Sequence, residues 1–492
     1  MDTQQIFDVA FAAHQQNDVA RAAALYADVL AADPLHFQAL NNLGAIRFAQ
    51  NRVDEALAFF TQTLDIAPNY APAHSNIAAA AVNARMPEIA LHHAKLAYAA
   101  DPQNIPALVN MSEAFIQLKD YDAARSVAQQ GLGISPAYPE LLLNMGTALG
   151  AQGLPNAAAA FYRSVIATNA RCVALAQKNL GQILLAQGNF AEGWTHYTAR
   201  FAADKIHPRY LNNIEWDGTP QPGGTLIVAA EQGLGDEILY LSMLRDLKTA
   251  YRGRVIWEMD ARLIPLVDPA FMDVTFTPRS LAPLSYFPGA THRIDAGNIG
   301  KFLRKCAADF GPLDRNPYIF SNQFTLKFGK TVGISWASVN TEKGIDKTIP
   351  LAEWEPLLAE LHGRDVNLVS LQYGLAANDR RISEPHFDAY RDLVSLAAQI
   401  DACDLVITAS NTTAHMAGAM GKPCVVILND GLGKYWYWGE KESTVFYPSV
   451  LIVRRNKRPW ADVFDELKRM LDFELNLNLN LNLNVNLTWP PT

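Results

Sequence analysis

The chain has 492 residues, which is enough for two to four domains at roughly 100 to 200 residues each. Half of the residues are hydrophobic and 18% are charged, a composition that excludes a disordered or coiled-coil protein. The 41 Lys and Arg residues and 49 Asp and Glu residues give a net charge of −8 without any basic run, so no nucleic-acid partner is expected.

The N-terminus has no basic start followed by an apolar core, and nowhere do about 18 apolar residues run together. We therefore expect no membrane span and a cytoplasmic location. The cysteines are far apart and form no CxxC pair, which predicts reduced thiols and no metal site. They are Cys172, Cys306, Cys403 and Cys424.

The first 200 residues are periodic. Proline recurs every 34 residues at Pro34, Pro68, Pro102 and Pro136, and alanine keeps the same period from Ala22 to Ala158. This spacing resembles tetratricopeptide repeats, in which each proline ends one helical pair before the next begins. The pattern predicts an α-helical superhelix over residues 1–200, with five repeats in 3–172 and a sixth in 172–200.

An asparagine keeps the same period on the first helix of each repeat after the first, in which Asp8 takes its place. The members are Asn42, Asn76, Asn110, Asn144 and, after 35 residues, Asn179. A ladder of carboxamides offers donors and acceptors to the backbone of an extended peptide, and it resembles the ladder in the repeat domain of the O-GlcNAc transferases. The alternative is that these side chains hydrogen-bond between neighbouring repeats.

Residues 201–222 are rich in proline and glycine and predict a linker. Beyond it, short apolar runs alternate with helical stretches, as in a doubly wound parallel sheet. The runs are TLIVAAE from Thr225, RVIWEM from Arg254, TVGISWA from Thr331, NLVSLQY from Asn367, DLVITAS from Asp404 and CVVIL from Cys424. We therefore predict two Rossmann-like halves, 223–322 and 323–474, facing each other across a cleft. The tail 475–492 is of low complexity.

The motifs GxxxxGK[ST], GxGxxG, HExxH and GxSxG are missing, which excludes several common chemistries. The segments GLGDEILYLSMLRDLK, SLQYG and DLVITASNTTAHMAGAMGKP instead resemble the heptosyltransferase-like (family 9) glycosyltransferases of the GT-B fold, over residues 190 to 465. Joined to repeats, this module resembles bacterial tetratricopeptide-linked protein glycosyltransferases. The resemblance implies inverting transfer from a nucleotide-activated sugar without a metal or other cofactor, with the acceptor in the first half and the donor in the second.

Asp236 is the predicted catalytic base. It opens a helix after a glycine-rich turn, and inversion needs one base to remove the proton of the acceptor hydroxyl. The match to the family's aspartate supports this role, and an ordinary carboxylate at a helix N-terminus is the alternative.

Donor binding is assigned to the second half. Thr412, Thr413 and His415 join a strand to a helix, where backbone N–H groups and added donors can hold a diphosphate. Most family members have Asp-Thr where this chain has Ser410-Asn411, so no role of that aspartate is carried over.

Three further donor-binding residues are predicted at other strand ends. Lys347 takes the place of a basic residue next to the donor phosphates, although an exposed loop lysine is equally consistent with the pattern. Ser335 and Gln372 end neighbouring strands and are assigned to the base or sugar pocket, or alternatively to strand-end packing.

These features together predict a glycosyltransferase that modifies Ser or Thr of a protein acceptor held by the repeats. By analogy with the repeat-linked bacterial enzymes, the acceptor is flagellin or another exported surface protein. One alternative is a lipopolysaccharide or other glycan acceptor. The other is an inactive repeat scaffold, which Ser410 favours because an acid is usual at that position.

Overall fold

A computed structural model describes residues 1–168, 170–280, 282, 284–311, 317–321, 323, 329–339, 344–364, 366–430 and 435–476. The chain divides into two compact units, Met1–Ala176 and Gln177–Thr492. In the part of the chain so described, no helix is long and apolar enough to cross a membrane.

The first unit consists of helical hairpins. Its helices are α1 (Thr3–Gln15), α2 (Val19–Ala32), α3 (Phe37–Ala49), α4 (Val53–Ile66), α5 (Ala71–Asn83), α6 (Pro87–Ala100), α7 (Ile105–Gln117), α8 (Tyr121–Ile134), α9 (Pro139–Ala151) and α10 (Pro155–Ile166). The periodic alanines are completely buried, from Ala22 in α2 to Ala158 in α10, because the two helices of each hairpin approach closely there. The predicted helical repeats are confirmed.

The second unit continues with helices and then forms two sheets. Its helices are α11 (Val173–Ala186, which begins in the first unit), α12 (Phe190–Tyr197), α13 (Arg200–Ala203), α14 (Leu234–Leu241), α15 (Leu244–Tyr251), α16 (Gly300–Leu303), α17 (Gly344–Lys347), α18 (Glu355–Gly363), α19 (Leu393–Ala402), α20 (Thr412–Ala419) and α21 (Trp460–Asn476). Past Asn476, the predicted tail lies outside the described residues.

Every strand pair in both sheets is parallel. The first sheet has the order β1-β5-β2-β3-β4 and the second has the order β11-β10-β9-β6-β7-β8. The strands are β1 (Ile214–Glu215), β2 (Thr225–Ala229), β3 (Arg254–Met259), β4 (Thr275–Pro278), β5 (His292–Asp295), β6 (Thr331–Ser335), β7 (Asn367–Ser370), β8 (Ile382–Ser383), β9 (Leu405–Ala409), β10 (Cys424–Leu428) and β11 (Val450–Arg454). This α/β architecture was expected from the alternating pattern.

Two details differ from the sequence pattern. The stretch 201–222, predicted as a linker, contributes edge strand β1 and buries Tyr210 and Trp216 against the first sheet. The helical stretch that follows β2, the first of the predicted strands, is also not continuous: it is interrupted between α14 and α15, where the Ser242 hydroxyl donates to the Leu239 carbonyl.

One apolar core joins the two sheets of the second unit. It contains Leu226 and Val228 of β2, Leu239 of α14, Met416 of α20 and Val426 of β10. A second apolar cluster packs α18 and α21 on the other face of the second sheet. The two sheets therefore pack around a shared core, and the loops at their strand ends meet.

Candidate functional site

An open cleft of about 400 Å³ lies in the second unit at the carboxyl ends of strands from both sheets. Ligands of open α/β sheets bind at this end, where loops leave the strands. Residues that follow β2, β3 and β4 form one wall, and residues that follow β6, β7, β8, β9 and β10 form the other. Four of the predicted site residues line it: Asp236, Lys347, Thr412 and His415.

Asp236 lies in the first turn of α14 and is half-buried. Its Oδ2 accepts a hydrogen bond from the backbone N–H of Gly233 at 3.1 Å, which fixes the carboxylate at the helix start. The neighbouring Gly235 lets the helix approach the opposite wall, because a Cβ at this position would lie 2.7 Å from Cδ2 of His415. The first turns of α14 and α20 thus face each other directly.

A second carboxylate on this wall, Glu237, was not recognised from the sequence. Its side chain is 4% exposed, with Oε2 accepting from the backbone N–H of Asp260 at 2.6 Å and Oε1 accepting from Arg279 at 3.2 Å. Burial raises the pKa of Glu237 to about 7, against the lowering effects of these two partners. Glu237 therefore titrates near neutral pH.

This titration makes the stability of the second unit depend on pH. A carboxyl group with a raised folded-state pKa stabilises the fold below its unfolded pKa, near 4.5, and that contribution is lost as the pH rises to about 7. The free energy of unfolding of Glu237→Gln, relative to that of the wild type, should therefore be higher at pH 8 than at pH 4.5 by on the order of 3 kcal/mol. Denaturant unfolding at both pH values measures this, and an equal difference at both would contradict it.

Arg262 links the two walls of the cleft. Asp260 holds its guanidinium through bonds of 2.9 and 2.7 Å, while Nη1 donates to the carbonyl of Tyr390 at 2.5 Å. The guanidinium also lies 5.1 Å from the centre of the Tyr390 ring. Asp260 and Arg262 follow β3, whereas Tyr390 precedes α19, so no local sequence pattern relates them.

The donor-side residues fall into two groups. Thr412 and His415 of α20 and Lys347 of α17 line the cleft, and Lys347 Nζ lies 3.9 Å from the centre of the Tyr435 ring. Thr413 is completely buried and its hydroxyl donates to the Leu371 carbonyl at 3.2 Å. Lys343, a second lysine in the segment between β6 and the end of α17, lies outside the described residues.

Ser335 and Gln372 are also buried behind the cleft wall, at 0% and 3% exposure, so the structure does not bring them to the lining. Gln372 Oε1 accepts from the Ser335 hydroxyl and from the backbone N–H groups of Trp336 and Ala337, at 2.9 to 3.1 Å. Asn411 Nδ2 donates to the Ser335 hydroxyl at 2.7 Å. This network joins the ends of β6, β7 and β9 and fixes the loop that leads to Ser338 in the cleft.

Ser410, which stands where the resembling family has an acid, has a structural contact. It is 2% exposed, and its hydroxyl oxygen accepts from the indole N–H of Trp438 at 2.8 Å. Ser410 is therefore a buried neutral group that binds the Trp438 indole.

Comparison with known proteins identifies the repeats. Models described as tetratricopeptide repeat match residues 12–71 and 143–199 in one case and residues 105–138 in another. The N-terminal part of the chain carries tetratricopeptide repeats.

Protein FlbA of Caulobacter vibrioides (strain ATCC 19089 / CIP 103742 / CB 15) is 27% identical over 481 residues, covering 90% of this chain and 79% of that protein. Among solved structures, PilW, a type IV pilus biogenesis factor, is 18% identical, with a TM-score of 0.35 over 41% of this chain and 93% of its own. The thermophilic repeat protein TTC0263 of Thermus thermophilus is 18% identical, with a TM-score of 0.31 over 34% and 91%.

The asparagines of the tetratricopeptide repeats make contacts between repeats. Asn110 Nδ2 donates to the Ser75 carbonyl at 2.9 Å and Asn144 Nδ2 to the Val109 carbonyl at 3.3 Å. Asn76 Nδ2 donates to Asn41 Oδ1 at 3.0 Å, and Asn42 Nδ2 to the Tyr26 hydroxyl at 3.1 Å.

The ladder asparagines are also partly or fully buried. Asn110 and Asn144 are buried at 8% and 4% exposure, and Asn179 in α11 is half-buried. These contacts are those of the inter-repeat alternative, because the amide groups of Asn42, Asn76, Asn110 and Asn144 each donate a hydrogen bond within the protein. Peptide binding by the ladder stays a prediction.

Proposed function

We propose that this protein is a cytoplasmic, inverting and metal-independent glycosyltransferase of the GT-B fold. It transfers a sugar from a nucleotide-activated donor to a Ser or Thr hydroxyl of a protein acceptor. The observation that carries the proposal is the convergence of Asp236 with Lys347, Thr412 and His415 on one cleft between two parallel sheets.

Asp236 is suited to act on the acceptor. In the proposed reaction its carboxylate removes the hydroxyl proton while the oxygen attacks the anomeric carbon from the face opposite the leaving diphosphate. The hydrogen bond from the Gly233 N–H holds the carboxylate at the N-terminus of α14. The neighbouring Glu237 is 4% exposed, and its two carboxylate oxygens already accept from the Asp260 N–H and from Arg279.

The opposite wall is suited to the leaving group. The first turn of α20 presents backbone N–H groups and the positive end of the helix, both of which favour a diphosphate. The Lys347 ammonium and the Thr412 hydroxyl line the same side of the cleft. These groups supply positive charge and hydrogen-bond donors where negative charge develops as the sugar leaves.

The tetratricopeptide repeats imply protein partners, and we assign to them the recruitment of the acceptor. The proposed acceptor is flagellin or another surface protein that is modified before export. There are two competing functions. One is transfer to a lipopolysaccharide or other glycan acceptor, and the other is a scaffold without catalysis.

A panel of nucleotide sugars tests the proposal. A bound donor should raise the melting temperature by linkage, and the same donor should be slowly hydrolysed in the absence of acceptor. Sugar appearing on a protein, seen by mass spectrometry, supports a protein acceptor, whereas transfer only to a glycan supports the first competitor. If no donor in the panel is bound or hydrolysed, a scaffold without catalysis is the remaining function.

Lys347 gives a sharper test of the donor side. We expect Lys347→Ala to raise the KM for the donor about 10- to 100-fold with a smaller change in kcat, because the ammonium contacts a phosphate in both ground and transition states. The control is Lys422→Ala, which removes an ammonium that contacts Asp401 and does not line the cleft.

The same assay in EDTA tests the absence of a metal requirement. Activity should survive chelation, because the helix N-terminus and Lys347 are proposed to neutralise the diphosphate. Loss of activity in EDTA that Mg²⁺ or Mn²⁺ restores would refute the metal-independent mechanism.

A further inference from the structure

The imidazole of His415 is held in place by buried aromatic residues. Its Nδ1 lies 2.9 Å from the hydroxyl oxygen of Tyr447, and both residues are at most 2% exposed. The ring stacks on Trp438 with a centroid distance of 5.1 Å and an interplanar angle of 29°. Tyr447 packs closely against Gly418, where a Cβ would lie 2.5 Å from the tyrosine ring.

The other edge of the imidazole faces the cleft. His415 is part of the cleft lining, and a Cβ on Gly235, in the opposite wall, would lie 3.2 Å from Nε2. Nδ1 is therefore turned toward the aromatic cluster, while Nε2 is turned toward the wall that carries Asp236.

Both groups are neutral in the folded protein. Burial, together with the charge of Lys347, lowers the pKa of His415 to about 3, and burial raises the pKa of Tyr447 above its ordinary value. A neutral imidazole has one N–H donor and one acceptor nitrogen, and the Tyr447 hydroxyl can either donate to Nδ1 or accept from it.

We propose that the Tyr447 hydroxyl donates a hydrogen bond to Nδ1 of His415 and so keeps the imidazole proton on Nε2, where it serves as a neutral hydrogen-bond donor toward the diphosphate of the sugar donor. Tyr447 is thus a positioning residue. The inference deepens the proposed function and rests on it for the identity of the ligand.

Physical chemistry favours this tautomer for an anionic ligand. With the proton on Nε2, the imidazole donates into the cleft on the same side as the Lys347 ammonium. The reverse tautomer would present a lone pair to the phosphate oxygens. A neutral donor also serves without a change in its own protonation as the phosphate charge develops.

The tautomer can be measured directly in the free protein. Nitrogen-15 NMR of the histidine-labelled full chain, with His415→Gln to assign the signal, should show Nε2 protonated and Nδ1 bare. Tyr447→Phe keeps the ring but removes the hydroxyl, and should yield a mixture of tautomers. A wild-type signal with the proton on Nδ1 would overturn the proposal.

Inorganic pyrophosphate is the probe for the ligand. Calorimetry should show an affinity about three- to tenfold lower for Tyr447→Phe than for the wild type, because the aligned Nε2 donor is lost from part of the population. The matched control is Tyr251→Phe, which removes another tyrosine hydroxyl bound to a histidine Nδ1, that of His292 at 3.0 Å, away from the cleft lining.

The outcomes separate the inference from the function on which it rests. Equal pyrophosphate affinities for Tyr447→Phe and Tyr251→Phe would overturn the positioning role of Tyr447. No pyrophosphate binding by the wild type would count against both the donor site and the assigned ligand. In that case the NMR result still decides the tautomer.

Discussion

Asp236→Asn should lower the rate of sugar transfer by about 10²-fold or more, because a carboxamide cannot accept the proton of the acceptor hydroxyl. The change is nearly isosteric, and Asn can accept the hydrogen bond from Gly233 N–H that Asp236 accepts now. The helix start and the donor affinity should therefore be preserved. Steady-state kinetics with the donor identified by thermal shift measure the effect.

Asp309→Asn is the matched control for this variant. Asp309 also sits three residues into a short helix and accepts from the N–H of the capping residue, Cys306, at 2.9 Å, but it does not line the cleft. It should keep full activity. If Asp236→Asn retains more than about a third of wild-type turnover, another group is the base, and Glu237 is the next residue to test.

The placement of the cleft was predictable because it depends on local signals. Apolar runs followed by turn residues mark strand ends, and parallel strands bring their carboxyl ends to one edge. Asp236 and Thr412 each open the helix after such a strand, and the structure places both in the cleft lining. The close approach of α14 and α20 also depends on Gly235, because a side chain there would clash with His415. That glycine can be read directly from the sequence.

Residues that depend on distant partners could not be found in this way. Glu237 is identified by its burial and by its contacts to Asp260 and Arg279, which are 23 and 42 residues away in sequence. Ser335 and Gln372 end the expected strands, but a strand end alone does not say whether a side chain faces the cleft or the interior. Their mutual hydrogen bond places them inside.

The same limit applies to the asparagine ladder. The 34-residue period places an asparagine on the first helix of each repeat after the first, but periodicity cannot distinguish a side chain that binds a ligand from one that binds the next repeat. Partners one repeat away, such as Ser75 for Asn110, are visible only after the helices are packed.

Replacing Asn76, Asn110 and Asn144 together by Ala should destabilise the first unit by roughly 2 to 4 kcal/mol. Each lost hydrogen bond has a net value of about 0.5 to 1.5 kcal/mol, and the carbonyls of Ser75 and Val109 lose their amide donors. Thermal unfolding followed by circular dichroism should show the repeats melting earlier. Donor hydrolysis by the second unit should persist at temperatures where the repeats remain folded.

Asn83→Ala is the control, because Asn83 ends α5 on the exposed side of the same repeat as Asn76. It should leave the melting temperature nearly unchanged, since Ala is a better helix former than Asn. A triple variant that melts with the wild type but no longer modifies its protein acceptor would reverse the interpretation: the asparagines would then hold the peptide, and their contacts between repeats would contribute little to stability. A variant that melts early yet modifies the acceptor normally while folded would confine the ladder to a structural role.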